Sequence, residues 1–436
     1  MFKIGCGEQI VDVPLFAELY GYGPFAGRRN RGIHDPLYCR VFTFRDNNNN
    51  RAMMVYTDTC TMPDHYANVM RSEFSGKYGI DPQCIAFTAT HTHSGPLLGT
   101  DREGGVGFGA ADPTYQKNWF NAVRIAAEQA VNDEEEIHCV RAGKAPLAKK
   151  LGKNRVEVEK NATDETIRWV QFQRADGSTK VLLHNHGIHG IAMNGDYRFL
   201  VSADWMGEAN RMIKEQGLAD MPLFLLGACG DVNTYTSCAQ LKNDTGADVI
   251  AQDYISFLKE DMAKGGEVLT DLTISGILRN CKAPCVEMSM EDLKRDRDEF
   301  CKISKQHTDR LEEIMILKER GHDFTLRHDF QVIRIGEISF FYIPGEYFVE
   351  DGARIMANAQ GKYPLLATVS NGRGAYFPSE ADMKRYPDVA SFHSCKNNCA
   401  FGFYEIYCCY PGLHFRYQDN IASFVAETLL NLEKTI

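Results

Sequence analysis

Residues 88–96 read TATHTHSGP, and this stretch decides how the fold is assigned. It overlaps the end of an apolar segment, Cys84–Thr90, which predicts a β-strand. Because side chains alternate along a strand, His91 and His93 would face the same side if the strand continued. Two imidazoles just before a Gly-Pro turn can bind a metal or relay protons. They can equally be hydrogen-bonded structural histidines, so the stretch alone leaves both interpretations open.

A second group of histidines lies in HNHGIHG, residues 184–190, after the predicted strand Val181–Leu183. Three of the thirteen histidines of the chain fall within these few residues. Loops at strand ends are where binding groups collect in α/β proteins. One ion does not take all three as ligands, so we expect at least one of them to be structural or to support a ligand from behind.

Two further strand ends carry an acidic residue or small residues. The segment IPGEY, residues 343–347, closes the predicted strand Ile338–Ile343 and places Glu346 after a Pro-Gly turn. That carboxylate either points into a fixed site or is a solvent-exposed turn residue. The segment FLLGACGDVN, residues 224–233, runs from an apolar strand into small residues, which let a backbone approach a ligand closely.

Composition and missing motifs exclude several classes of function. The 436 residues have 44% hydrophobic content and a net charge of -10, and their basic residues form no stripe, so a nucleic-acid partner is not expected. There is no GxxxxGK[ST] phosphate loop and no GxSxG nucleophile elbow. The glycines of residues 104–109 lack the strand-turn-helix setting of a dinucleotide site and predict a loop near the site.

The N-terminal residues 1–6 enter an alternating apolar segment without a charged region followed by an apolar one, so we expect no signal peptide and a cytoplasmic location. No apolar run approaches the ~20 residues of a transmembrane helix. Most of the fourteen cysteines are therefore interpreted as reduced thiols. The spacings Cys281–Cys285 and Cys395–Cys399 leave a structural zinc site open, although unlinked thiols are favoured.

Strand patterns alternate with helical patterns along the chain, which predicts an α/β (mixed α+β) fold with mixed β-sheets flanked by helices. We find no linker or repeat, and expect residues 1–436 to form a single catalytic domain. The other predicted strands are Tyr38–Phe44, Ala52–Tyr56 (a hairpin around residues 47–50), Ile167–Phe172 and Leu223–Leu226. The predicted helices are Tyr66–Tyr78, Tyr115–Val131, Trp205–Glu215, Ala247–Lys259, a charged helical stretch at Met290–Gly321, and Ile421–Leu432.

Taken together, these stretches resemble the catalytic domain of the neutral (non-lysosomal) ceramidases, from Gly5 almost to the C-terminus. The most specific part is HTHSGP. The other shared stretches occur in the same order: GIHDPL at residues 32–37, GDV at 230–232, PGE at 344–346, and Ser370-Asn371 leading to Tyr376.

The resemblance implies a set of four side chains that hold one zinc ion: His91, His189, Glu346 and Tyr376. It also places His93 in the active site, where it would contact the substrate or its developing oxyanion. Arg155, of the pair Asn154-Arg155, would help to shape the site, and Tyr386 would be a second active-site tyrosine.

The resemblance also has departures. After GDV the family continues with serine, whereas this chain has Asn233, so we expect an altered substrate preference at that position. We further expect a short relative that lacks the family's C-terminal immunoglobulin-like domain.

The leading hypothesis is a zinc-dependent hydrolase that cleaves an amide bond in a small or moderately polar molecule by means of a metal-activated water. An ester or glycoside hydrolase on the same scaffold, or an inactive metal-binding relative, remains open. The oligomeric state is not predicted.

Overall fold

The computed structural model describes residues 1–22, 27–99, 111–236, 246–302, 305–322, 325–372, 376–385, 405 and 416–436. In these ranges the predicted mixed α/β fold is confirmed. The strands are β1 Lys3–Val11, β2 Leu37–Arg45, β3 Arg51–Thr57, β4 Ile85–Ala89, β5 Glu135–Glu136, β6 Cys139–Pro146, β7 Gly152–Asn154, β8 Thr166–Gln173, β9 Thr179–His186, β10 Met221–Leu226, β11 Val232–Thr234, β12 Glu267–Leu269, β13 Ile274–Lys282, β14 Arg327–Ile335, β15 Ile338–Tyr342, β16 Glu346–Tyr347, β17 Tyr363–Ala367 and β18 Tyr376–Phe377. The α-helices are α1 Asp64–Tyr78, α2 Pro113–Asn132, α3 Asp204–Glu215, α4 Ala247–Met262, α5 Met290–Phe300, α6 Lys305–Glu319, α7 Val349–Asn358, α8 Glu380–Arg385 and α9 Ile421–Glu433.

The first sheet has the order β4-β3-β2-β1-β5, with β3 and β4 parallel and the other pairs antiparallel. The predicted hairpin joins β2 to β3, and the carboxylate of Asp46 closes it by accepting the backbone N–H groups of Asn48 and Asn50. Helix α2 packs on β1 so closely that only glycine is accommodated at position 5 of the strand. A Cβ atom at Gly5 would lie 1.9 Å from a helix carbonyl oxygen.

A second sheet has the order β10-β9-β8-β6-β12, and a third has the order β13-β14-β15-β17. Each contains one parallel pair, β9 with β10 and β15 with β17. Backbone hydrogen bonds connect the three sheets where these strands end: Thr368 N donates to Leu226 O, and Ala89 N donates to Val369 O. The sequence motifs that follow these strands are therefore close together in the fold.

The Asn371 side chain joins the first and third sheets. Its Oδ1 accepts the N–H of Phe87 at 3.0 Å and a guanidinium N–H of Arg71 at 2.6 Å, while its Nδ2 donates to Gln331 at 2.7 Å. The residue has φ 58°, a left-handed conformation that asparagine tolerates better than most side chains. The Asn371 side chain thus has a structural role, because it attaches the segment that follows β17 to the first sheet.

The charged stretch, the cysteines and the helix lengths were also the subject of predictions. The stretch Met290–Gly321 forms two helices, α5 and α6, and Ser289 caps the first of them through a capping box with Asp292. The nine cysteines among the described residues are all free, Cys281 and Cys285 included, whereas Cys395 and Cys399 lie outside those residues. No helix in the described part is both long and apolar enough to cross a membrane.

Candidate metal centre

Three side chains from separate elements bring their donor atoms together. The Nε2 atom of His189 lies 2.9 Å from Oε2 of Glu346, and the Nε2 atom of His91 lies 3.4 Å from the same oxygen. All three donor atoms fall within 4.8 Å of one another, and both histidines are buried. Nitrogen and oxygen donors converging in this way are typical of a zinc site.

The backbone around His91 differs from the expected strand. Strand β4 ends at Ala89, and His91 has φ 64°, so the chain turns sharply here. The strand therefore does not continue to His91, which was the condition under which the two histidines would face the same side of it. The turn nevertheless brings the two rings together, with their centroids 4.6 Å apart and their Nε2 atoms 3.1 Å apart.

Each histidine of the cluster is oriented from behind by a backbone carbonyl. The Nδ1 of His91 donates to Cys60 O at 2.6 Å, and the Nδ1 of His189 donates to Val232 O at 3.1 Å. A carbonyl oxygen only accepts, so in both rings the proton is on Nδ1 and Nε2 is directed into the cluster. This is the arrangement by which proteins orient metal-ligating histidines.

The charges of the cluster also fit a cation. Burial, together with the charge of Arg155, lowers the pKa of His189 to about 4, so its ring is neutral at pH 7 and Nε2 carries a lone pair. That lone pair faces a carboxylate oxygen of Glu346 at 2.9 Å. Two acceptors at this distance repel each other unless a cation lies between them, and a divalent metal ion would satisfy both.

The pKa values of His91 and Glu346 also indicate that a positive charge is stabilised between them. Burial opposes its protonation, but the adjacent Glu346 carboxylate raises the pKa of His91 well above its usual value. Burial likewise opposes ionisation of Glu346, yet His91 holds the pKa of that carboxyl well below its usual range. A metal ion at His91 Nε2 would therefore compete with a proton for the same lone pair.

Tyr376 is placed beside Glu346 by a short parallel ladder. Strand β16 pairs with β18 in the register Glu346 to Tyr376, so the two residues are direct cross-strand neighbours. The Tyr376 hydroxyl oxygen accepts an N–H of Arg155 at 3.2 Å. The structure thus places Tyr376 beside the glutamate of the cluster, and its role as a metal ligand stays a prediction.

Arg155 is the centre of the polar contacts around the cluster. Its guanidinium donates to Asn233 Oδ1 at 3.0 Å and to Gly230 O at 2.8 Å, and it approaches Nε2 of His189 at 3.3 Å. Strand β7, which precedes Arg155, pairs with β11, which contains Asn233. The predicted residues Arg155 and Asn233 are therefore brought together with the metal-ligand candidates.

Asp231, of the GDV motif, connects the turn that carries Arg155 to the segment that follows Glu346. The Asp231 carboxylate accepts Nδ2 of Asn154 at 2.7 Å and the backbone N–H of Val349, at the start of α7, at 2.9 Å. Burial raises the pKa of Asp231 to about 7. Asp231 thus joins the Asn-Arg turn to the segment that follows Glu346.

The other histidines of HNHGIHG point away from the cluster. His184 lies between Tyr254, at 3.1 Å, and Asn210, at 2.9 Å, and burial lowers its pKa to about 4. His186 donates from Nδ1 to Thr166 O at 3.2 Å. As expected, the triplet contains structural histidines, and His189 is its member in the donor cluster.

Glu405 is a site residue that the sequence analysis missed. It is fully buried, and its Oε1 lies 2.9 Å from Nε of Arg155. Burial raises the pKa of this carboxyl to about 8, although Arg155 opposes the shift. Its sequence context, FGFYEIYCCY at residues 401–410, contains no pattern that marks a site. Tyr386, which the resemblance places in the site, lies outside the described residues.

His93 is held between the cluster and a glycine. Its ring is nearly perpendicular to that of Tyr22, with the centroids 5.3 Å apart, and its Nδ1 is buried. Gly21 has φ 114°, and a Cβ atom there would lie 2.4 Å from the His93 ring. Only glycine combines this backbone conformation with so close an approach.

We therefore expect Gly21→Ala to displace the His93 ring while leaving the donor cluster in place. Given the active-site role that the resemblance implies for His93, the predicted result is a loss of about 100-fold in kcat, because a displacement near 1 Å is enough to misalign a group that acts on the substrate. Zinc content and turnover would be measured on the same sample. Gly27→Ala is the control, since its φ of 81° is also left-handed but a Cβ atom there meets nothing within 4 Å. Equal losses in the two variants would contradict the role given to His93.

Comparisons with known proteins are consistent across sequence and structure, although no protein-family model matches the chain. The neutral ceramidases of Drosophila pseudoobscura pseudoobscura and Drosophila melanogaster are each 21% identical to it over 231 residues. The match covers 49% of this chain and 32% of either relative, so it spans about a third of the length of those proteins.

Two solved structures extend the likeness over almost the whole chain. The neutral ceramidase from Pseudomonas aeruginosa superposes with a TM-score of 0.75 and 14% identity, covering 99% of this chain and 74% of that one. A ceramidase complexed with C2 gives a TM-score of 0.73 with the same identity and coverage. At such identities the likeness establishes the fold. The chain therefore has the neutral ceramidase fold, as the resemblance in its motifs predicts.

Proposed function

We propose that this protein is a zinc-dependent hydrolase that cleaves an amide bond. The observation that carries the proposal is the convergence of His91 Nε2, His189 Nε2 and Glu346 Oε2 within 4.8 Å, in a setting where neutral imidazole and carboxylate acceptors face one another. Tyr376 completes the proposed ligand set through its pairing with Glu346. When bound, zinc makes water acidic and polarises a carbonyl group, which is the chemistry that hydrolysis needs at neutral pH.

The surrounding side chains are suited to the remaining tasks. Burial and the adjacent His91 lower the pKa of His93 well below its usual value, so the ring is neutral and keeps one N–H. We assign to that ring a hydrogen bond to the negative charge that develops on the substrate oxygen. Arg155, held by Asn233 and Tyr376, adds positive charge beside the same place. Tyr386 is proposed, from the resemblance alone, to assist the leaving amine.

The amide bond is proposed because the relatives are named ceramidases, and ceramide is an N-acyl compound. We propose a smaller or more polar N-acyl substrate than membrane ceramide, since Asn233 stands where the family has serine. Asn233 donates or accepts through a planar amide and contacts Arg155 directly, so it changes both the shape and the polarity of that wall. The same substitution supports a second candidate, an ester or glycoside hydrolase.

A substrate panel measured on the same preparation distinguishes these candidates. Short- and long-chain N-acyl amides, the matching esters and aryl glycosides would be assayed before zinc removal by a chelator, after it, and after zinc is added back. We expect amide turnover that disappears with the metal and returns with zinc, with the short-chain amides turned over faster. Turnover confined to glycosides, or amide turnover unaffected by metal removal, would contradict the proposal.

A further inference from the structure

The positive charge of Arg155 is buried next to the proposed metal site, and one residue outside the shared motifs lies close enough to neutralise it. The arginine side chain is nearly buried, with 8% exposure, and one of its nitrogens lies 3.3 Å from Nε2 of His189. A permanent positive charge at that position repels a divalent cation bound to the same nitrogen. Burying such a charge is costly unless a partner of opposite charge is buried with it.

Glu405 supplies that opposite charge when its carboxyl is ionised. Burial opposes ionisation and raises the pKa of the carboxyl to about 8, whereas the adjacent guanidinium favours ionisation. The Glu405 side chain has 0% exposure, and Oε1 lies 2.9 Å from Nε of Arg155, the nitrogen at the base of the guanidinium. The terminal nitrogens donate to Asn233, Gly230 O and Tyr376. Glu405 therefore contacts the remaining nitrogen, Nε. Four contacts in different directions fix the position of the guanidinium.

We infer that Glu405 is a positioning residue, which acts as the buried counter-ion of Arg155 and thereby keeps the guanidinium beside the metal centre without weakening metal binding. This inference rests on the proposed function, because it assumes that the donor cluster binds zinc. Glu405 reaches the proposed ligands through its contact with Arg155, whose guanidinium lies 3.3 Å from Nε2 of His189. Without the carboxylate, the uncompensated guanidinium would repel the cation and would be free to move towards Glu346.

The test is a double-mutant cycle read by zinc affinity. Glu405→Gln removes the charge but keeps the size, and Arg155→Met removes the guanidinium but keeps most of the length. At pH 9, above the pKa of about 8 of the Glu405 carboxyl, we expect Glu405→Gln to weaken zinc binding about 10- to 100-fold, the range found when a group behind the ligands of a metal is lost. In the Arg155→Met background the same substitution should change zinc affinity less than about twofold, because the charge that Glu405 compensates is gone.

Two further variants separate charge from shape. Glu405→Asp keeps the charge and should bind zinc more tightly than Glu405→Gln, although glutamine is the closer match in size. Glu350→Gln removes an exposed carboxylate that pairs with Lys160, and it should leave zinc affinity unchanged. An equal loss in both arginine backgrounds, no loss in either, or tighter binding by the glutamine variant than by the aspartate variant would overturn the inference.

A second readout, the Tm of the metal-free protein, tests the Glu405–Arg155 pair even if the proposed function is wrong. Glu405→Gln should lower Tm more than the double variant does, because it leaves an unpaired buried charge that the double variant removes. If the wild-type protein bound no zinc, the proposed function would fail, and the Tm cycle would still report on the pair. Additive Tm changes would then overturn the inference by themselves.

Discussion

Glu346→Ala is expected to leave the protein folded and unable to retain zinc. Glu346 Oε2 lies 2.9 Å from Nε2 of His189 and 3.4 Å from Nε2 of His91, and it carries the negative charge of the proposed ligand set. Without it two neutral imidazoles and a phenol would remain, beside the positive charge of Arg155. Loss of the metal removes several kcal/mol of transition-state stabilisation, so kcat/KM should fall about 10³-fold or more.

Metal analysis of the purified variant, alongside turnover, tests this expectation. His91→Ala should give the same result, since its Nε2 belongs to the same three-atom cluster. The matched controls are Glu260→Ala and His138→Ala, whose side chains are exposed on α4 and just before β6. If Glu346→Ala and His91→Ala both kept full zinc stoichiometry, the assignment of the site would be wrong.

Gly5→Ala, a methyl addition in the first sheet, is expected to cause a large loss of stability. The new Cβ atom would lie 1.9 Å from the carbonyl oxygen of Ala130 and 2.8 Å from Oγ1 of Thr43. The first contact is with helix backbone, so it is relieved only if α2 moves off β1. We expect a loss of about 3 kcal/mol in the free energy of unfolding, at the upper end of the usual cost of overpacking.

Urea denaturation of the wild-type protein and the variant measures this loss. Gly76→Ala, in helix α1, is the control, because a Cβ atom there meets nothing within 4 Å. Alanine should stabilise that helix by roughly 0.5–1 kcal/mol through its higher helix propensity. Equal midpoints for Gly5→Ala and the wild-type protein would mean that α2 does not pack on β1 as described.

The fold was largely predictable because the apolar patterns are regular. Strand β8 was predicted as Ile167–Phe172 and is Thr166–Gln173, and helix α4 was predicted as Ala247–Lys259 and ends at Met262. Such elements are set by local periodicity, which a sequence displays directly. The stretch Met290–Gly321 was predicted as charged and helical, and it contains the two helices α5 and α6, whose boundary its composition does not mark.

The site was predictable only where it coincides with shared motifs. His91, His189 and Glu346 follow strand ends within recognisable stretches, and the ends of those strands meet in the fold. Glu405 could not be found in this way, because its role depends on burial against Arg155 and its neighbours in the sequence are ordinary apolar residues. Nor could Gly21, whose importance comes from the close approach of a distant ring.

The most direct test of the central claim is a crystal structure of the zinc-loaded protein with anomalous diffraction recorded at the zinc absorption edge. We predict one strong anomalous peak for a zinc ion bound by His91 Nε2, His189 Nε2 and a carboxylate oxygen of Glu346, with the Tyr376 hydroxyl beside it. Zinc–nitrogen distances near 2.0–2.1 Å are expected for such a site. A peak at other residues, or no peak at these three atoms in a protein that hydrolyses amides, would contradict it.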